Sequence, residues 1–179
     1  MNPAGYLYKR IVAATEVVSN PDVRDIYSVA GCISEDFLDY IPHWKHNGYW
    51  FFDSPKIMDS LAADLGMSVV GLKLFYYRIY PLQWDDDSRT WESFEPCPDF
   101  ETNIVEPVNA KREGFDVVSY AMQNSPECSP LSCNDLCEAI SVNAHCLFAT
   151  LEDAKRALEA GLFVGGERGP YRIIEVCSP

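Results

Sequence analysis

At 179 residues the chain is long enough for one domain with a real core and short for two. Hydrophobic residues make up 47% and charged residues 23%, proportions that exclude a largely disordered chain. The net charge of −13 argues against nucleic acid and against an anionic membrane surface, since both would repel it. A basic protein partner is electrostatically easier, and solubility alone is the plainer use of the charge.

Lys9 and Arg10 precede an apolar run, but Glu16 and Asp22 interrupt it before it can serve as a signal peptide. No stretch approaches the ~18 apolar residues of a membrane span, so a cytoplasmic protein is expected. Seven cysteines, an odd number without an export signal, are expected as thiols or metal ligands and not as a disulfide framework.

In chain order, Leu7, Ile11, Ala14 and Val18 are spaced by four, three and four, which predicts an N-terminal helix ending at Asn20-Pro21. Asp25 to Ala30 reads as a strand. Ser34 can then cap a short helix with Glu35 and Asp36 in its first turn. Gly48 to Asp53 is aromatic and reads as a strand. Ser54-Pro55 gives an N-cap and a proline at the first helical position, with Ile57, Leu61 and Leu65 inward as far as Gly66. Leu72 to Tyr80 is predicted as an aromatic strand stopped by Pro81.

The connection 83–112 has a different texture. Between Trp84 and Glu106, eight carboxylates accompany one basic residue, Arg89, so more than half of the net charge sits there. Trp84, Trp91, Phe94 and Phe100 lie among them, which predicts that the segment packs down. Beyond it, Phe115 to Ala121 reads as a strand, Asp135 to Ile140 as a short helix and His145 to Phe148 as a strand. Thr150 caps a helix with Asp153 in capping-box position and Ala154, Ala157 and Leu158 inward. Pro170 to Val176 closes the chain as a strand.

Two stretches can be laid on each other. Asp25 to Ala30 matches Asp116 to Ala121. After a small length difference, Cys32, Asp39, Asn47, Phe52 and Ser54 fall on Cys128, Asp135, Asn143, Phe148 and Thr150 at one shared offset. The expected fold is therefore α+β: a single domain over 1–179 from two strand–helix–strand–helix–strand halves, 22–82 and 113–179. A pseudo-twofold would relate them, with a groove between.

Chemistry is most concentrated in Ser125 to Cys137. Two prolines stiffen this run, and it leads into a helix N-terminus that can bind an anion and favour a thiolate. Cys128, Ser132 and Asn134 are candidate binding residues there, and a structural turn capped by Ser and Asn is the alternative. Cys133 with His145, oriented by Asn143 or Asp135, supplies the residue types for cysteine catalysis. Cys128, Cys133, Cys137, His145 and Cys146 are near zinc spacing but lack a Cys-x-x-Cys knuckle, so neither a metal nor any other cofactor is expected. His43 and His46 flank Trp44 in what reads as an aromatic loop.

Gly48 to Pro55, Leu74 to Tyr77, Ser125 to Asn134 and Gly169 to Ile173 resemble a family of uncharacterised bacterial proteins of about this length. Pro-Glu-Cys-Ser-Pro-Leu-Ser-Cys-Asn is the most specific part. The resemblance implies a bacterial cytosolic protein and carries over neither an activity nor functional residues. Two function classes remain. The preferred one is a non-enzymatic binding or regulatory protein, of the immunity type for instance, that meets a basic protein through Trp91, Phe94 and the surrounding carboxylates. The other is a small cysteine-dependent enzyme or metal protein centred on Cys133 and His145. The sequence leaves the oligomeric state open.

Overall fold

The computed structural model describes residues 1–34, 47–98, 100–121 and 125–179. The expected helix after Ser34, the His43/His46 loop and the Asp39–Asp135 match lie outside the described residues. The fold is α+β. Its sheet has the order β1-β4-β7-β6, every neighbouring pair antiparallel, from Asn2–Arg10, Leu72–Asp85, Tyr171–Ser178 and Lys111–Ser119. Strand β5 (Thr90–Ser93) pairs with the far end of β4. A two-stranded ladder joins β2 (Val12–Ala13) to β3 (Asp25–Ile26). The helices are α1 (Pro55–Leu65), the single turn α2 (Pro130–Cys133) and α3 (Leu151–Glu159).

The N-terminal helix is a strand instead. Leu7 lies in β1, Ala14 in a 3-10 turn, and Ile11 and Val18 outside both, so the helical spacing joins separate elements. Helix propensity is a weak prior, and β4 offers β1 a long ladder with aromatic cross-strand partners. Tyr6 faces Tyr76 across that ladder, with ring centroids 5.0 Å apart.

Pro81 does not stop β4. The strand runs on to Asp85, and its pairing with β7 shifts register between Ile79 and Gln83, around Pro81. A proline is tolerated at such an irregularity because no ladder N–H is required there.

The strands expected at 48–53 and 145–148 are curled turns, and one device builds both. The Asn47 side chain donates to the Ala4 carbonyl and accepts from the amides of Tyr49 and Phe51. The Asn143 side chain donates to the Glu113 carbonyl and accepts from the amides of His145 and Leu147. Each amide thus replaces the strand ladder that its segment would otherwise need. Trp50 and Cys146 take positive φ of 67° and 60°. Each turn touches the sheet by one two-way bridge, Tyr6 with Phe52 and Phe115 with Phe148. Replacing Asn47 by Ala is expected to cost about 2–3 kcal/mol, because it orphans buried backbone groups. Urea unfolding measures it, and a loss under about 0.5 kcal/mol would contradict the role assigned to that amide.

Thr150 caps α3 as expected, its hydroxyl accepting from the Asp153 amide, while Ser54 takes the N-cap position of α1, ahead of Pro55 in the first turn, without a side-chain capping bond. The inward face of α3 is Ala154, Ala157 and Leu158, as its spacing requires. That of α1 is Met58, Leu61 and Ala62. Leu65 is 47% exposed, so the face is rotated from the one predicted. The Asp25 to Ala30 strand shrinks to β3, in the small ladder. The sheet edge opposite β6 is formed by β1 and not by Asp25 to Ala30. Asp135 to Ile140 holds only a 3-10 turn, Leu136–Glu138, with α2 just before it.

Candidate functional site

Three places collect the residues singled out above. The first is the acidic arm formed by the end of β4, β5 and the segment after it. Trp84 is buried opposite Trp91 in the hairpin, ring centroids 5.2 Å apart, and Tyr80 meets Trp91 edge-on at 5.5 Å. The Trp91 indole N–H donates to a Glu159 carboxylate oxygen at 2.8 Å, which ties β5 to the end of α3. Arg89, the arm's one cation, donates to the Glu159 carbonyl.

Phe94 lies over the Arg172 guanidinium at 3.9 Å, and Tyr120 lies over the same group at 4.2 Å. Trp91 and Phe94 are therefore partly buried anchors instead of free surface rings. The carboxylates of Asp86, Asp87, Glu92, Glu95, Glu101 and Glu106 stay exposed, with Glu106 reaching Arg78 at 3.7 Å. Asp85 accepts from the Ser88 amide, and this bond holds its carboxyl below the usual range. Asp85, Asp86 and Asp87 border a cleft of about 270 Å³ with Arg168, Gly169 and Pro170.

The second place is the cysteine-rich run. Cys133 is bonded to Cys32, 101 residues away, with 6.7 Å between the Cα atoms. That corrects the expectation of thiols alone. The partner was missed because nothing in the spacing joins the 31–34 turn to residues 125–134. The Gly31 amide donates to the Pro126 carbonyl and the Cys32 amide to Glu127, so the backbone brings them together. Cys128 keeps its thiol. Burial pushes it up to about 12, with the charges of Glu167, Asp116 and Glu127 adding to the shift. Its sulfur is 3.8 Å from Asn134 Oδ1, which also accepts from the Glu167 amide. The Ser132 hydroxyl is buried without a hydrogen-bond partner among the described residues.

His145 belongs to a third setting. Its Nδ1 meets an Asp25 carboxylate oxygen, and its ring stacks on Tyr27 at 4.0 Å. Lys73 lies 4.1 Å over the other partner in that stack, Tyr27, and donates to its hydroxyl. His145 is thus paired through Nδ1 and stacked, and while the sulfur–sulfur bond stands Cys133 offers no thiolate.

Comparison with protein-family models, curated proteins and solved structures finds no match for this chain. Among the described residues, no helix is long and apolar enough to cross a membrane.

Sequence reasoning overlooked Asp116, which is fully buried in β6. One of its oxygens accepts from the Ser28 hydroxyl at 2.7 Å and the Val29 amide at 3.1 Å, and the other accepts from Ser129 at 2.6 Å. It stitches segment 28–29 and the cysteine-rich run to the sheet. A carboxylate inside the apolar run Phe115 to Ala121 was the available signal, since a buried charge must be partnered. A cleft of about 470 Å³ runs along α3 and is lined by Ile140, Val142, Phe148, Asp153 and Arg156 among others.

Proposed function

We propose that the chain is a non-enzymatic binding protein that recognises a basic protein through the acidic arm. The observation that carries this reading is the combination of six exposed carboxylates with aromatic roots that fix their segment to the body. Clustered carboxylates repel one another and folding does not need them. A loose acidic tail would lose entropy on binding. This arm has already been ordered by Trp84, Trp91 and Phe94, so less is lost on docking. The carboxylates would steer encounter, and the cleft beside Asp85, Asp86 and Asp87 is of a size to admit one Lys or Arg side chain.

The same reading takes the two halves as copies of one unit related by a pseudo-twofold between β4 and β7. The supporting features are the matched Asn47 and Asn143 turns, the matched bridges, and register shifts at Gly5 in β1 and Gly114 in β6. In this arrangement the counterpart of β6 is β1, so the first copy would begin at Asn2 and not at residue 22, the Asp25 to Ala30 match with β6 is given up, and the acidic arm is the insertion between the copies.

The test uses short arginine-rich peptides and calorimetry at two salt concentrations. Reversing Asp86, Asp87 and Glu92 to Lys is expected to weaken binding by at least ~10-fold and to flatten its salt dependence. Reversing the exposed Asp22 and Glu138, which lie elsewhere, should change it far less. Effects that scale only with the number of charges reversed, three against two, would mean that net charge alone is felt, and the proposal would fail.

A further inference from the structure

Cys32, Cys128 and Cys133 present three sulfur atoms that all lie within 4.8 Å of one another. We propose that reduction of the Cys32–Cys133 bond opens a three-thiolate site for a thiophilic d10 cation, Cu(I) or Zn(II). This inference is independent of the acidic arm.

The convergence does not depend on the sulfur–sulfur bond. Cys32 is held by its own amide on Glu127 at 3.1 Å and by Gly31 on Pro126 at 2.9 Å. Cys128 is paired to β6, its carbonyl accepting from the Ser119 amide at 2.8 Å. Cys133 sits in α2 with its amide on the Ser129 carbonyl at 2.7 Å, and Ser129 is itself fixed to Asp116. Each sulfur therefore hangs from an anchored backbone and stays near the other two when the bond is cut.

Metal–sulfur bonds of ~2.3 Å set ligand sulfurs ~4 Å apart around one cation, so only small side-chain adjustments are required. Three soft thiolates without an imidazole suit Cu(I) in trigonal geometry, or Zn(II) with one added water. The carboxylates of Glu127, Glu167 and Asp116 place negative potential at Cys128, which favours a cation there. Cys32 is exposed and provides the way in, while Cys128 is buried and closes the far side. The absent Cys-x-x-Cys knuckle is no obstacle, because the third ligand comes from the opposite half of the chain.

The chemistry balances with a dithiol reductant. It supplies two electrons and two protons, becomes a disulfide itself, and leaves Cys32 and Cys133 as thiols. Binding the cation then releases thiol protons to solvent.

The experiment reduces the full chain with dithiothreitol, removes the reagent by anaerobic desalting, and titrates with Cd(II), following the sulfur-to-cadmium charge-transfer band. Zn(II) and Cu(I) are then used to displace the cadmium. One cation per reduced chain is expected, and none at the same concentration in the oxidised chain, which still carries the Cys97, Cys128, Cys137, Cys146 and Cys177 thiols. Cys32→Ser, an exposed position, should keep the far-ultraviolet circular dichroism and bind at least ~10-fold more weakly. Stoichiometric binding by the oxidised chain, unchanged affinity in Cys32→Ser, or no binding by the reduced chain would each overturn the proposal.

Discussion

Replacing Gly114 or Gly5 by alanine is expected to destabilise the domain by about 3–5 kcal/mol, a large share of what a domain of this size has. Gly114 has φ +154°, and a Cβ there would lie 2.7 Å from Leu147 Cβ, 2.8 Å from the Phe148 carbonyl oxygen and 2.9 Å from the Asn143 amide. Gly5 has φ +126°, and its Cβ would lie 2.6 Å from the Phe52 carbonyl oxygen and 2.8 Å from Phe51 Cβ. In both cases the obstacle includes backbone, which cannot swing aside as a long side chain can. The Tyr6–Phe52 and Phe115–Phe148 bridges sit beside these glycines, so relieving the clash would break the contact that holds each curled turn to the sheet. Gly66 is the control. It also has positive φ, +67°, but no atom lies within 4 Å of its Cβ position. Gly66→Ala should therefore cost only about 1 kcal/mol, the left-handed backbone penalty. Urea midpoints for the three variants check this, and equal losses at all three positions would refute the close-approach argument.

Asp116 should give the domain an unusual pH profile. Burial pushes its carboxyl up to about 6, against an ordinary value of 3.8, while hydrogen bonds from Ser129, Ser28 and the Val29 amide pull the other way. Between these two values the folded chain holds a proton that the unfolded chain has released. Stability from this group is therefore fully present below pH ~4, falls as pH rises towards 6, and is flat above that. The loss over the window is about 3 kcal/mol. Asp85, Asp135 and Asp153 have carboxyls held below the ordinary range by hydrogen bonds, and they act in the opposite sense, losing stability as pH falls. The informative quantity is thus the difference between the native chain and Asp116→Asn, which keeps an acceptor oxygen and carries no charge. Relative to that variant, the native chain should lose about 3 kcal/mol from pH 4 to pH 7. A difference independent of pH would show that Asp116 is ionised throughout. Asp116→Ala should be destabilised at every pH, since it leaves Ser28, Val29 and Ser129 without their acceptor.

Local signals were legible wherever the chemistry acts within one turn of the chain. Ser54-Pro55 announces α1 because proline is preset for the first helical turn, and Thr150 with Asp153 announces α3 because the cap bonds a residue three positions away. The shared offset of Asn47 and Asn143, Phe52 and Phe148, and Ser54 and Thr150 was likewise visible, and those residues build the same turn twice. Within β6 and β7 the aromatic and β-branched residues Phe115, Val117, Val118, Tyr171, Ile173, Ile174 and Val176 mark strands by composition.

What needed the tertiary structure was every choice settled by a distant partner. Leu7 to Val18 has helical spacing, yet β4 claims its first part as a strand, because a ladder of backbone bonds outweighs a weak propensity. Gly48 to Asp53 has strand composition, yet one amide side chain at Asn47 curls it. Cys32 and Cys133 are 101 residues apart, and no local pattern names either as the other's partner. Trp91 and Phe94 could have faced water by composition; Glu159 and Arg172, far along the chain, tie them down and leave the carboxylates outside. The sequence by itself determined the class of fold, the starts of α1 and α3 and the acidic arm, since these rest on local backbone preference, local bonding and net charge. The third dimension decided which strands form the edges, which sulfurs meet and which aromatic rings stay dry, since each of these depends on contacts between residues that only folding brings together.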